Sequence, residues 1–365
     1  MRIFRYLFNE VVSSFLAVAL VLLLMFLSSR FVKYLGDAAA GSFSSDILLS
    51  IMLYRLPGFL ELILPLALFV GMMLVFGRLY VDSEMIVLQA CGISKGRLLL
   101  YAQGPGLAVM LVVGLLSCYV TPLGWAKFHE IWNNPANFSG LSTLVEGSFR
   151  RIGSDAVIYT AALNKDKTEL TDVFVVRSNS QGDEQRISVV RARQANVIHH
   201  SPQQRYIELI DGVEYSGIPG QLDYSVSVFS RYGQLIKTGN DDVIVVDSVD
   251  AKPTLALDAA TSARERAALL WRLGLPLMVP VITLIALALS ETSHRKGRYN
   301  KLLPGLLLYM AYMALMIFAK NELEKGRPGA EWVFGLTHLG FLLLGFVLLY
   351  KDTLHFRRAG RQVAA

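Results

Sequence analysis

Two cations three residues apart, Arg30 and Lys33, follow directly on a long apolar run and share one face if that run is helical. Arginine grips phosphate oxygens with a planar fork and lysine acts as a point charge, so the pair has the chemistry to hold the phosphates of an anionic lipid. Simple snorkelling of both side chains to a membrane interface is the competing explanation. Glu61 lies inside a second apolar run, four residues before Pro65. A carboxylate in such a place is a functional candidate by default, with Arg30 and Lys33 as its nearest candidate partners. A structural ion pair would account for it equally well.

The stretch VDSEMIVLQACGISKGR, residues 81–97, reads as a short capped helix near 82–92. Asp82 or Ser83 can accept a hydrogen bond from the first free amides, Asp82 and Glu84 suit the positive end of the helix dipole, and Gly92 stands where a left-handed C-cap belongs. Met85, Ile86, Val87 and Leu88 are too apolar for a solvated loop. Either this helix docks on a cytoplasmic ATPase, with Glu84 as a charged contact, or it rests on lipid.

Hydrolytic chemistry is hard to build from the rest. No G-x-x-x-x-G-K-[ST] loop occurs, and GISKGRL at 92–98 lacks both the spacing and a preceding strand, so any ATP must be hydrolysed by a partner. His129-Glu130-Ile131-Trp132-Asn133 has asparagine where a zinc helix needs its second histidine. His199 and His200 are sequential, hence on opposite faces of a strand. Cys91 and Cys118 are the only cysteines, too few for a disulfide framework or a four-cysteine metal site. The expectation is no catalytic residue, no metal and no bound cofactor.

The elements that must position these residues follow from composition. With 365 residues, 53% hydrophobic and 18% charged, and a mean hydropathy of +0.45, the chain is neither disordered nor an ordinary soluble enzyme. Six windows are long and apolar enough to cross about 30 Å of hydrocarbon as helices: 11–29, 56–77, 98–118, 273–290, 302–319 and 332–350. The first reads as a retained anchor, because no small-residue cleavage site follows and Arg30 and Lys33 do. Basic residues crowd one side, with Arg2, Arg5, Arg78, Lys95, Arg97 and the His294–Arg298 cluster, which places both termini in the cytoplasm. Fewer occupy the other side: Arg30, Lys33, Arg55, Lys320, Lys325 and Arg327.

Between the third and fourth windows the pattern changes. Residues 123–262 hold 13 Lys+Arg and 17 Asp+Glu, a charge of −4 against +10 for the remainder, so the basic excess belongs to the membrane part and gives no reason to expect nucleic acid. Runs such as AVIYTAAL, DVFVVRS and DYSVSVFSRYG, separated by Gly, Asn and Pro clusters, indicate an all-β sandwich or barrel on the outer side. The expected architecture is 1–122 with three helices, 123–262 as an external β domain, and 263–365 with three more helices and a tail. Prolines at 57, 65, 105, 276, 280 and 304 suit kinked helices. Phe26, Phe59, Leu62, Leu66, Phe69, Leu307 and Met310 could line a cavity for acyl chains or face lipid, and periodicity cannot separate the two because both surroundings are apolar.

The opening RIFRYLFNEVVSSFLAV, the segment LELILPLALFVGMMLVFGRLYVDSEMIVLQACGISKGRLL and the later WRLGLPLMVPVITLIALALS resemble the lipopolysaccharide export permease family, LptF and LptG, end to end and with most likeness to the LptF branch. The resemblance implies a transporter half that pairs with an LptG-like permease above an LptB-like ATPase dimer, which uses ATP and Mg. An LptC-like single-helix protein and an LptA-like periplasmic bridge would complete the route for lipopolysaccharide from the outer leaflet of the bacterial inner membrane. It further implies a jellyroll-like periplasmic β domain, ATPase coupling through Glu84 with Asp82, Ser83, Met85 and Leu88, and lipid phosphate contact through Arg30 and Lys33. No family role attaches to Glu61. The rival from another class is a membrane-anchored β-domain scaffold or receptor without ATP-dependent transport.

Overall fold

Long apolar runs need their backbone polar groups satisfied internally, and helices do this within one segment. The computed structural model describes residues 2–39, 47–132, 146–152, 156–164, 169–181, 184–201, 204–236, 249–258, 262–291 and 300–363. All six apolar windows lie in helices: α1 Arg2–Ala39, α2 Leu48–Val81, α4 Lys95–Leu115, α6 Ala263–Leu289, α7 Leu302–Glu324 and α8 Ala330–Val363. A short α3, Glu84–Ala90, separates α2 from α4. After α4 a π-helical turn, Leu116–Val120, leads straight into α5, Thr121–Trp132, so the third span runs past its apolar window. The chain forms two compact units, one of residues 1–30, 53–127 and 248–365 and one of 31–52 and 128–247.

In the helical unit α2 and α6 are central. Of their apolar windows 67% and 72% are buried, against 11% for α1, which therefore sits at the edge with most of its surface uncovered. Phe69, Met72, Phe76 and Leu79 of α2 pack with Met278, Ile282 and Ile285 of α6 and with Tyr312 and Met316 of α7. The prolines at 57, 65, 105, 276 and 280 all lie inside continuous helices.

In the other unit six strands form one antiparallel sheet in sequence order: β1 Phe149–Ile152, β2 Ala156–Leu163, β3 Glu169–Gln181, β4 Glu184–Ser201, β5 Gln204–Gly217 and β6 Ser225–Ile236. The expected β content is present. Its arrangement among the described residues is a single meander of six strands, one sheet rather than two.

The sheet buries Ile158, Leu170, Val173, Val175, Val190, Ala192, Ala195, Ile207 and Leu209 on one face. Alternation alone does not give this set. Buried Leu170 and Val173 on β3, and Ala192 and Ala195 on β4, flank exposed pairs, Thr171-Asp172 and Arg193-Gln194. The paired row Ala162, Thr171, Gln194, Ile210 and Arg231 marks one line across five strands where the inward parity resets. Asp172 and Asp211 take left-handed φ of 54° and 50° beside it, a conformation aspartate tolerates better than branched residues. Residues 294–298 and Asn133 fall outside the described residues, as do the side chains of His199 and His200.

Candidate functional site

Proline chemistry builds the site. A proline inside a helix removes the N–H that would serve the carbonyl four residues earlier. Pro276 thus deprives Arg272 on α6, and Cys118 lies in the π turn just before Pro122. The carbonyls of Arg272 and Cys118 are served by one local network. The Cys118 thiol donates to the Arg272 carbonyl at 3.7 Å, and the Thr254 hydroxyl donates to the Cys118 carbonyl. The buried Arg272 guanidinium donates to Thr254 Oγ1 at 2.8 Å and to the carbonyls of Val249, Asp250 and Lys252 at 3.2, 2.9 and 2.9 Å. Glu265 accepts from Lys252 Nζ and from the Asp258 amide, both at 2.6 Å. The connector 249–258 is in this way tied to the start of α6.

A glycine brings α5 against α2. A Cβ on Gly124 would lie 2.3 Å from the Tyr54 carbonyl oxygen, so only hydrogen fits there. That approach puts the Thr121 hydroxyl 2.9 Å from Glu61, to which it donates, and stacks Trp125 on Arg55 with 3.7 Å from guanidinium carbon to ring centroid. Arg30 of α1 lies over Phe26 and Phe59 at 5.1 and 5.4 Å, and Arg55 also reaches the Phe59 ring at 5.8 Å. Two guanidiniums therefore share one aromatic ring. Lys320 of α7 stands 5.3 Å from Trp271 and pairs with Glu324 at 3.5 Å.

These side chains line a cavity of about 300 Å³. Its wall includes Phe26, Phe59, Leu62, Trp125 and Trp271, and its charged members are Arg30, Arg55, Lys320, Arg272, Glu61 and Asp250. Aromatic faces fix the direction of the cations at modest desolvation cost. An anionic head group with an attached apolar portion matches this lining.

The sequence candidates divide. Arg30, Phe26, Phe59 and Leu62 do line the cavity. Lys33 is exposed and is not in its lining. Leu66 packs on the helical core, Phe69 is buried within it, and Leu307 and Met310 are exposed on α7, so these four do not form the wall. Glu61 is served by Thr121 rather than by an ion pair with Arg30 or Lys33. Sequence reasoning missed Trp125, Trp271 and Arg272 and gave no role to Arg55 or Lys320. The last two carried a signal, since both are cations in short flanks on the side where cations are scarce.

The short helix α3 forms as expected but begins differently. Ser83 adopts φ 63° and makes no side-chain cap bond, which corrects the expected capping by Asp82 or Ser83. The reason is the tight exit from α2, where the Asp82 amide still bonds the Arg78 carbonyl and the chain must reverse at Ser83. At the other end Gly92 has φ 90°, its amide bonds the Gln89 carbonyl, and the Ile93 amide bonds that of Leu88, a Schellman closure. Met85 is fully buried and Leu88 packs on the same core, whereas Ile86 and Val87 point outward. Exposed apolar residues on a pinned helix offer a docking face.

Comparison with known proteins agrees with this layout. The family model described as lipopolysaccharide export system permease LptF/LptG matches residues 5–351. The lipopolysaccharide export system permease proteins LptF of Escherichia coli K12 and of Shigella flexneri are each 29% identical over 366 residues, covering 98% of this chain and 97% of the relative. A match that runs through every helix, the short α3 and the strand region alike leaves one conclusion, that the chain belongs to the LptF/LptG family of lipopolysaccharide export permeases.

Proposed function

We propose that this chain is the LptF-like transmembrane permease subunit of an ATP-binding-cassette exporter that lifts lipopolysaccharide from the outer leaflet of the bacterial inner membrane. The observation that carries the reading is the pair Arg30 and Arg55 on the shared ring of Phe59 inside an aromatic-walled cavity. Lipid A combines phosphates with acyl chains, so it needs fixed cations beside an apolar wall, and this cavity supplies both. Lys320 adds a further positive group at the same cavity.

In this reading both termini are cytoplasmic and the segment 123–262 is periplasmic. The α3 face with Met85 and Leu88 inside, Ile86 and Val87 outside, and Glu84 at its start docks on an LptB-like ATPase dimer, which binds ATP and Mg. An LptG-like subunit completes the cavity across the uncovered side of α1. An LptC-like protein and an LptA-like bridge receive the lipid from the β domain.

The test is a photo-crosslinking residue at Tyr54, which lines the cavity beside Arg55, in the reconstituted complex. Lipopolysaccharide adducts should form and should decline on addition of ATP. No adduct, or an adduct indifferent to ATP, defeats the extractor reading in favour of the scaffold or receptor.

A further inference from the structure

Four polar side chains from three helices meet at the end of the bundle opposite Arg30. Tyr6 and Glu10 stand one turn apart on α1, Arg78 is in the last turn of α2, and Glu84 opens α3. Arg78 donates to Glu10 at 2.6 Å, and the Tyr6 hydroxyl donates to the Glu84 carboxylate at 2.9 Å. The helix that carries Glu84 has seven residues and no side-chain cap at its start. So short a helix does not hold itself in water and takes its orientation from tertiary contacts. Met85 supplies one of these by burial, and the Tyr6 hydroxyl supplies the other at the carboxylate itself.

We propose that Tyr6 is a positioning residue: its hydroxyl aims Glu84 and ties α3 to α1, so that ATPase docking and the position of α1 are linked. This rests on α3 being the docking helix. A carboxylate that accepts one hydrogen bond keeps lone pairs for a cation of the ATPase, so Tyr6 orients Glu84 without blocking it. The Glu10–Arg78 pair fixes the adjacent turn of α1 to α2, which gives the contact a stable base. The same helix then runs unbroken to Arg30, about 36 Å further along at 1.5 Å per residue. Its far end carries Phe26 and Arg30 into the cavity wall. A shift of α3 on docking is thereby felt by the helix that holds the lipid-facing cation, with no need for a chain of intermediate side chains.

The experiment compares wild type, Tyr6→Phe, Glu84→Ala and the double variant in the full permease complex. Hydrogen exchange of the Glu84–Ala90 amides is followed without ATPase, and ATPase affinity is titrated separately. Tyr6→Phe keeps the ring and should speed exchange and weaken ATPase binding by about threefold to tenfold, the scale of one exposed hydrogen bond. In the Glu84→Ala background it should add nothing to either. Unchanged exchange in Tyr6→Phe, or full additivity with Glu84→Ala, overturns the positioning role. Faster exchange with ATPase affinity indifferent to Glu84→Ala overturns the proposal through the docking reading, leaving the contact itself intact.

Discussion

The thiol of Cys118 donates to the main-chain carbonyl of Arg272, and the carbonyl of Cys118 is served by Thr254, whose oxygen accepts from the Arg272 guanidinium. The thiol thus replaces the donor that Pro276 removes from the Arg272 carbonyl, and Arg272 in turn holds the hydroxyl that serves Cys118. In a low-dielectric setting an unserved carbonyl is expensive, so the exchange lets the π turn and the start of α6 coexist. It also fixes the connector that lines the cavity at Asp250.

Arg272→Ala should therefore be far more damaging than its distance from the shared Phe59 ring suggests. It strips donors from three connector carbonyls and from Thr254 together, a loss of about 3 kcal/mol or more. Cys118→Ala removes one weak S–H donor and leaves the Arg272 carbonyl unserved, and should cost about 1–2 kcal/mol. Thermal melting of the purified complex separates them, with Arg272→Lys in between because an ammonium cannot reach all four acceptors. Equal melting of the alanine variants would show that the connector is held by something else.

Arg55 gives the most direct check on the cavity. Arg30→Ala and Arg55→Ala should each lower lipopolysaccharide capture by about tenfold, the loss of one charge-assisted hydrogen bond, and the effect should shrink in high salt. Lys33→Ala should do less, since Lys33 lies outside the lining. Trp125→Ala should weaken capture by about threefold with the charge retained, because it removes the stacking face that orients Arg55. Crosslinking yield at fixed lipid concentration reads all four. A larger effect at Lys33 than at Arg55 would move the phosphate site outward along α1.

Gly124→Ala addresses the packing that creates the cavity. A methyl group 2.3 Å from a backbone oxygen cannot be relieved by a side-chain rotation, so α5 must move away from α2. Overpacking of this kind costs about 1–3 kcal/mol. The Thr121–Glu61 bond and the Trp125–Arg55 stack should both loosen. A lower melting temperature and a shifted Trp125 emission would report it, and unchanged values for both would mean that α5 tolerates the displacement.

How much of this could be read from residues alone depended on what carried the signal. The six spans were legible because hydrocarbon thickness sets a length and composition meets it. The acidic start and Gly92 end of α3 were legible because turn and cap chemistry is local, although Ser83 entered left-handed where side-chain capping was expected. The path of α5 past Pro122 was not, since no local pattern marks the π turn that carries the chain into it. Trp125 and Trp271 reach the cavity through close packing that no window contains. The single meander escaped for a related reason: the parity reset at Thr171-Asp172 and Arg193-Gln194 hides the alternation that would have fixed the faces.

Glu61 is the last position at which geometry and charge can be separated. Its carboxylate accepts from Thr121 and shares the cavity with Arg30 and Arg55. If it serves to moderate the positive field so that lipid can leave, Glu61→Gln should keep the Thr121 bond, leave folding unchanged, and tighten capture of anionic lipid by about threefold while slowing ATP-driven release. Thr121→Val removes the donor instead and should cost about 1 kcal/mol of stability with little change in the sign of the cavity. Paired measurements of capture and release on the two variants decide the matter. Tighter capture in Glu61→Gln alone supports the moderating role, whereas weaker capture in both would mean that the Thr121–Glu61 bond shapes the wall and that its charge is incidental.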